Sequence, residues 1–103
     1  MYIVNVDADA TQAQRDSFTK YLRDQRLGFW HHIVFSWIVT DIQGKTNVRQ
    51  MRDQVRALMP DVRSLIVQIT PHAYAGRSPK AGHEWTRNFL GSDKERWESD
   101  KGY

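Results

Sequence analysis

A chain of 103 residues fits one domain whose two packed layers enclose a single core, and leaves no room for a second domain beside it. An apolar fraction of 40%, with four each of Trp, Tyr and Phe, is too rich for a disordered chain, and the lack of cysteine excludes disulfides, thiolate metal sites and cysteine nucleophiles. A formal charge of +3 suits an anionic partner such as nucleic acid without demanding one.

Tyr2, Val4 and Val6 alternate with Ile3, Asn5 and Asp7, the period-two pattern of a strand with one apolar face, closed by Asp7. Residues 11–26 read as an amphipathic helix: Thr11 with Gln14 forms a capping box, Phe18, Tyr21 and Leu22 share one side, and Gly28 is the stop signal. Residues 29–40 are dense in aromatic and β-branched side chains and predict strand. Twelve residues exceed an ordinary strand, so a break near Val34 is expected to divide them into a second strand and a third at 35–41.

After Gln43-Gly44-Lys45, Asn47 with Gln50 resembles a second capping box before Val48, Met51, Val55, Leu58 and Met59 at helical spacing. Pro60 stops that helix, and the apolar run Leu65-Ile66-Val67 suits a central strand. The order β-α-β-β-α-β predicts an α+β domain of the ferredoxin-like, split βαβ kind, an antiparallel sheet with two helices on one face. On the other face, Ile3, Trp30 and Trp37 are expected to contribute an apolar patch, a natural dimer surface. A loop through 72–79 precedes a short helix at 80–90, with Trp85, Phe89 and Leu90 packing back on the domain. The domain is thus assigned to residues 1–90, and 91–103 to a charged tail that frays or docks on a protein partner. No signal-peptide pattern and no span of membrane length is present in the sequence, so the expected location is cytoplasmic, away from the membrane.

Few residues carry chemistry. Asp7, at the end of the first strand, and Asp9 are carboxylates of the kind that hold Mg²⁺ through one or two oxygens and waters. The structural alternative is equally ordinary: Asp9 caps the helix, and Asp7 accepts loop amides. In a two-fold dimer, one carboxylate per subunit becomes a pair. His31 and His32, as neighbours in a strand, point to opposite faces and cannot both serve one metal, which favours hydrogen-bonded interior or interface imidazoles. His83-Glu84 lacks the second histidine of a zinc helix, no serine sits in a nucleophile elbow, and there is no glycine-rich phosphate loop. Arg49, Arg52 and Arg56 recur at i, i+3 and i+7, a row able to track a phosphate backbone, or else a solvated helix face partly neutralised by Asp53.

The run Phe29-Trp30-His31-His32, then Ser36-Trp37-Ile38-Val39, the strand Asp61-Val62-Arg63-Ser64-Leu65-Ile66-Val67 and the segment from Ser78-Pro79-Lys80 to Glu84-Trp85 resemble the small SinR-like proteins. These are relatives of the CRISPR-associated small endoribonucleases and of virulence-associated protein D. The likeness spans residues 2–90 and departs from the pattern at Ile33-Val34-Phe35, where a polar turn is usual. It implies a ferredoxin-like fold, a homodimer, and a metal-dependent nuclease in which Asp7 binds Mg²⁺ opposite its dimer mate. The expected function is therefore a homodimeric endoribonuclease acting on RNA or DNA. The alternative is a non-catalytic nucleic-acid- or protein-binding module of a toxin–antitoxin or phage-related kind.

Overall fold

The computed structural model describes residues 1–70, 76–90 and 98–99. Strand β1 (Tyr2–Val6) is followed by α1 (Gln12–Asp24), β2 (Gly28–Ile33), β3 (Ser36–Thr40), α2 (Val48–Leu58) and β4 (Ser64–Gln68). Then come β5 (Arg77–Ser78), α3 (Lys80–Leu90) and β6 (Glu98–Ser99). The protein is α+β: β1 to β4 form one sheet in the spatial order β2-β3-β1-β4, and each adjacent pair is antiparallel. The short β5 and β6 form a separate parallel pair. Among the described residues no helix is long and apolar enough to cross a membrane.

Register follows the period-two pattern. Val4 lies opposite Trp37 on one side and Ile66 on the other, and Tyr2 opposite Val39, so one apolar face runs across β1, β3 and β4. Phe18 and Leu22 of α1 and Met51 and Val55 of α2, all fully buried, close over that face. Each such side chain contributes about 1.5–3 kcal/mol by leaving water. The Trp37 indole meets Phe18 edge-on at 4.9 Å and donates its Nε1–H to Thr19 Oγ1 at 3.1 Å, so the largest core ring is satisfied as well as packed.

The helix starts are those the sequence marks. Thr11 Oγ1 accepts the Gln14 amide and Gln14 Oε1 accepts the Thr11 amide, a complete capping box. At α2 only half of the expected box forms: Asn47 Oδ1 accepts from the Gln50 amide, with no reciprocal bond from the Gln50 side chain among the described residues. The stop of α1 differs from expectation. The left-handed residue is Arg26, at φ 56°, with the Leu27 amide returning to Leu22 O; Gly28 already belongs to β2. Gly28 is needed there because a Cβ would overlap Thr40 Oγ1 on the paired strand.

Two other expectations are corrected. The apolar run in β4 occupies a sheet edge, not the centre: Ile66 reaches the core, while Leu65 is 62% and Val67 41% exposed. Trp37 does not share a face with Ile3 and Trp30. Odd and even positions of β3 face opposite ways, so Trp37 joins the core while Ile38, opposite Ile3 and Trp30, faces the other side. On that other face Trp30 is buried and α3 packs on β2, Gly82 lying against the His32 ring and Ser78. The far half of the face, over β1 and β4, carries Ile3, Leu65 and Val67. The break expected near Val34 is a tight turn at Val34 and Phe35, and the helix expected at 80–90 is α3, with Trp85 and Phe89 rings 4.7 Å apart. His72, the Leu90 side chain and most of the expected tail lie outside the described residues; two residues of that tail form β6.

Candidate functional site

Asp7 follows directly on β1, where the chain turns toward α1. Its amide donates to Arg63 O at 2.9 Å and its carbonyl accepts the Ala10 amide at 3.0 Å, so the turn is held through the Asp7 backbone. The carboxylate takes part in no hydrogen bond or ion pair among the described residues. It lines a shallow depression of about 270 Å³ with Asn5, Val6, Arg63, Ser64 and Leu65. Asn5 and Leu65 are register partners and face the side of the sheet opposite the α1/α2 layer, so Asp7 stands at the rim of the open face.

Asp41, just beyond β3, is the contrasting case. Its Oδ1 accepts the Lys45 amide at 2.9 Å and its Oδ2 the Thr46 amide at 2.8 Å, the loop-bracing role that the sequence offered as the alternative for Asp7. Burial first, and then the Asp41 charge, hold the Tyr2 and Tyr21 phenols above their ordinary range. Asp41 was not singled out from the sequence, although an aspartate three residues before Gly44 is a turn signal. Nor does Asp9 cap α1: that position is Thr11, and Asp9 is exposed in the preceding turn. Among the described residues no three His, Asp or Glu side chains gather as a cation site, so any metal at Asp7 needs oxygens from elsewhere.

The arginine row is real but remote. Arg49, Arg52 and Arg56 are all exposed on α2, which covers the face opposite the Asp7 rim. Arg52 is engaged by Asp53 at 2.9 Å, as the sequence allowed, while Arg49 and Arg56 have no acidic partner among the described residues. No contact joins the row to Asp7.

A second constellation sits at the same end of the sheet as Asp7 and was not legible as a unit. Val6 donates its amide to Phe35 O, tying the β2–β3 turn to the end of β1. From α1, Arg15 reaches back so that Nη1 donates to Ala10 O, and its guanidinium lies 4.8 Å above the Phe35 ring. His31 stacks on Trp37 at 4.3 Å and, because a carbonyl only accepts, donates Nε2–H to Val34 O at 3.0 Å. His32 turns to the other face as expected, edge-on to Trp30 at 5.2 Å. The side of its ring against Gly82 is shielded, and that burial first, then the neighbouring His31, lowers its pKa. Between these groups runs a groove of about 260 Å³, lined by Gln12, Arg15 and Asp16 of α1 and by residues 31–34. Twenty residues separate Arg15 from Phe35, so spacing along the chain carries no sign of their contact.

Comparison of the chain with protein-family models, with curated proteins and with solved structures found no match.

Proposed function

We propose that the protein is a homodimeric, Mg²⁺-dependent endoribonuclease-like protein built on a ferredoxin-like sheet, with Asp7 as its metal-binding residue. Read from its other edge the strand order is β4-β1-β3-β2, all antiparallel, which supports the ferredoxin-like reading and with it the kinship to SinR-like and CRISPR-associated small endoribonuclease-like proteins. The observation that carries the proposal is the contrast between two strand-end aspartates: Asp41 spends both carboxylate oxygens on loop amides, whereas the Asp7 turn is held by backbone alone.

An uncommitted carboxylate fits the habit of Mg²⁺, which takes one or two carboxylates and completes its shell with water and substrate phosphate. One carboxylate per chain is the lower end of that range, and pairing of two chains through the side of the sheet that carries half-buried Ile3 and exposed Leu65 and Val67 would double it. When bound, the cation would polarise the scissile phosphate or activate a water. Asp7 would orient it, and Asp9, exposed two residues on, is available as a further oxygen donor.

Short RNAs incubated with the protein and Mg²⁺, beside Asp7→Asn, test this. Cleavage that needs both Mg²⁺ and the Asp7 carboxylate is the expected result, with sedimentation at the mass of two chains. Equal cleavage by both proteins would remove Asp7 from the reaction. A second reading rests on the separation of the arginine row from the Asp7 rim: Arg49, Arg52 and Arg56 bind nucleic acid as a module without turnover. Salt-dependent retention of intact RNA, lost in the triple Arg→Gln variant, would identify that behaviour.

A further inference from the structure

We propose that the groove between the start of α1 and the β2–β3 turn is a phosphate-binding site, with the Arg15 guanidinium and the His31 imidazole as its donors. Both groups are already held in place. Arg15 is fixed by Ala10 O and by the Phe35 face, and the other N–H groups of its fork have no acceptor among the described residues. His31 is fixed by its stack on Trp37 and by the bond to Val34 O, which leaves Nδ1 as its ring atom without a partner there. Groups immobilised by the fold lose little further freedom on binding, so their interaction with an anion is not offset by ordering cost. A guanidinium fork matches the geometry of a phosphate, and a groove of about 260 Å³ lies just below the roughly 300–1,000 Å³ of sites that enclose larger ligands.

Charge decides when the groove works. Facing His31 are Arg15 and Asp16 from α1 and His32 from its own strand; residues 33–35 and Trp37 bring no ionisable group. With His31 neutral, the Arg15 charge is cancelled by Asp16, and Nδ1 is an acceptor that repels phosphate oxygen. With His31 protonated, Nδ1 becomes a donor and the groove carries a net positive charge. Phosphate binding therefore draws on the doubly protonated imidazole, whose Nδ1–H stands beside the Arg15 guanidinium as the second donor. The site is independent of Asp7 and of any metal, and it stands whether or not the protein cleaves RNA.

Nuclear magnetic resonance of the His31 ring and the Arg15 side chain, with inorganic sulfate as a tetrahedral anion of constant charge and ionic strength held fixed with chloride, tests the proposal. Saturable shifts at both residues are expected at pH 6, with weaker binding at pH 8. Arg15→Gln should abolish them and Arg15→Lys weaken them, while Lys20→Gln, which removes a charge elsewhere on α1, leaves them unchanged. Oligouridylate that moves the same resonances and competes with sulfate marks a nucleic-acid phosphate as the ligand; sulfate acting alone marks a free anion. Absence of saturation at pH 6, undiminished binding by folded Arg15→Gln or Arg15→Lys, or shifts confined to Arg49, Arg52 and Arg56 would overturn the assignment.

Discussion

Gly28 and Thr40 face each other across the β2–β3 pair so closely that a Cβ at position 28 would overlap Thr40 Oγ1. Thr40 is buried and branched at Cβ, so its hydroxyl has little room to swing away. Gly28→Ala is expected to destabilise the fold by about 1–3 kcal/mol in urea unfolding. The same change made in a Thr40→Ala background should cost markedly less, because the overlapping atom is gone. Equal costs in both backgrounds would place the penalty outside this contact.

Thr19 serves the core through one oxygen. Replacing it by valine keeps its shape but strands the buried Trp37 Nε1–H, for an expected loss of about 1–3 kcal/mol. Thr19→Ser retains the acceptor and should recover most of it. Denaturant midpoints of the two variants decide the matter; a valine variant as stable as the serine one refutes the role.

Arg26 adopts a left-handed conformation that costs an ordinary residue about 1–2 kcal/mol. Arg26→Gly removes that strain and loosens the unfolded chain by roughly 0.5–1 kcal/mol, so a net gain of about 0.5 kcal/mol is expected. In a domain of this size it appears as a melting temperature higher by roughly 2–4 °C.

Acid should loosen the docking of α3. The folded-state pKa of His32 lies below its unfolded value, so below pH ~6.5 the unfolded chain binds more protons, and stability is lost as pH falls through the folded-state value. Amide exchange in Thr86 and its neighbours is expected to quicken as pH is lowered from 7 to 5 beyond its intrinsic pH dependence. His32→Gln should flatten that response, and a response of unchanged size in the variant would assign it to another group.

The sequence carried most of the scaffold because its signals are local. Thr11 with Gln14, the 3.6-residue spacing of Met51, Val55 and Met59, and the alternation of Tyr2, Val4 and Val6 each act within a few residues, and each element formed where it was expected. Errors arose where partners far apart in the chain decide the outcome. An apolar run does not say whether its strand lies inside a sheet or at the edge, so Leu65 and Val67 read as central; Gly28 read as a helix stop, although its constraint comes from Thr40. For the site, Asp7 was legible as a strand-end carboxylate, but that its turn is braced by Arg63 O and Ala10 rather than by its own oxygens required the tertiary structure. The meeting of Arg15 with Phe35 and of His31 with Trp37 left no trace in spacing at all.

The position of β4 has a consequence for handling the protein. With β1 on one side and no strand on the other among the described residues, its outer backbone amides and carbonyls form a ready template, and Leu65 and Val67 flank it with grease rather than charge. Self-association by strand addition would begin on this rail, and one lysine introduced at position 67 would blunt it while leaving the helix-covered core untouched.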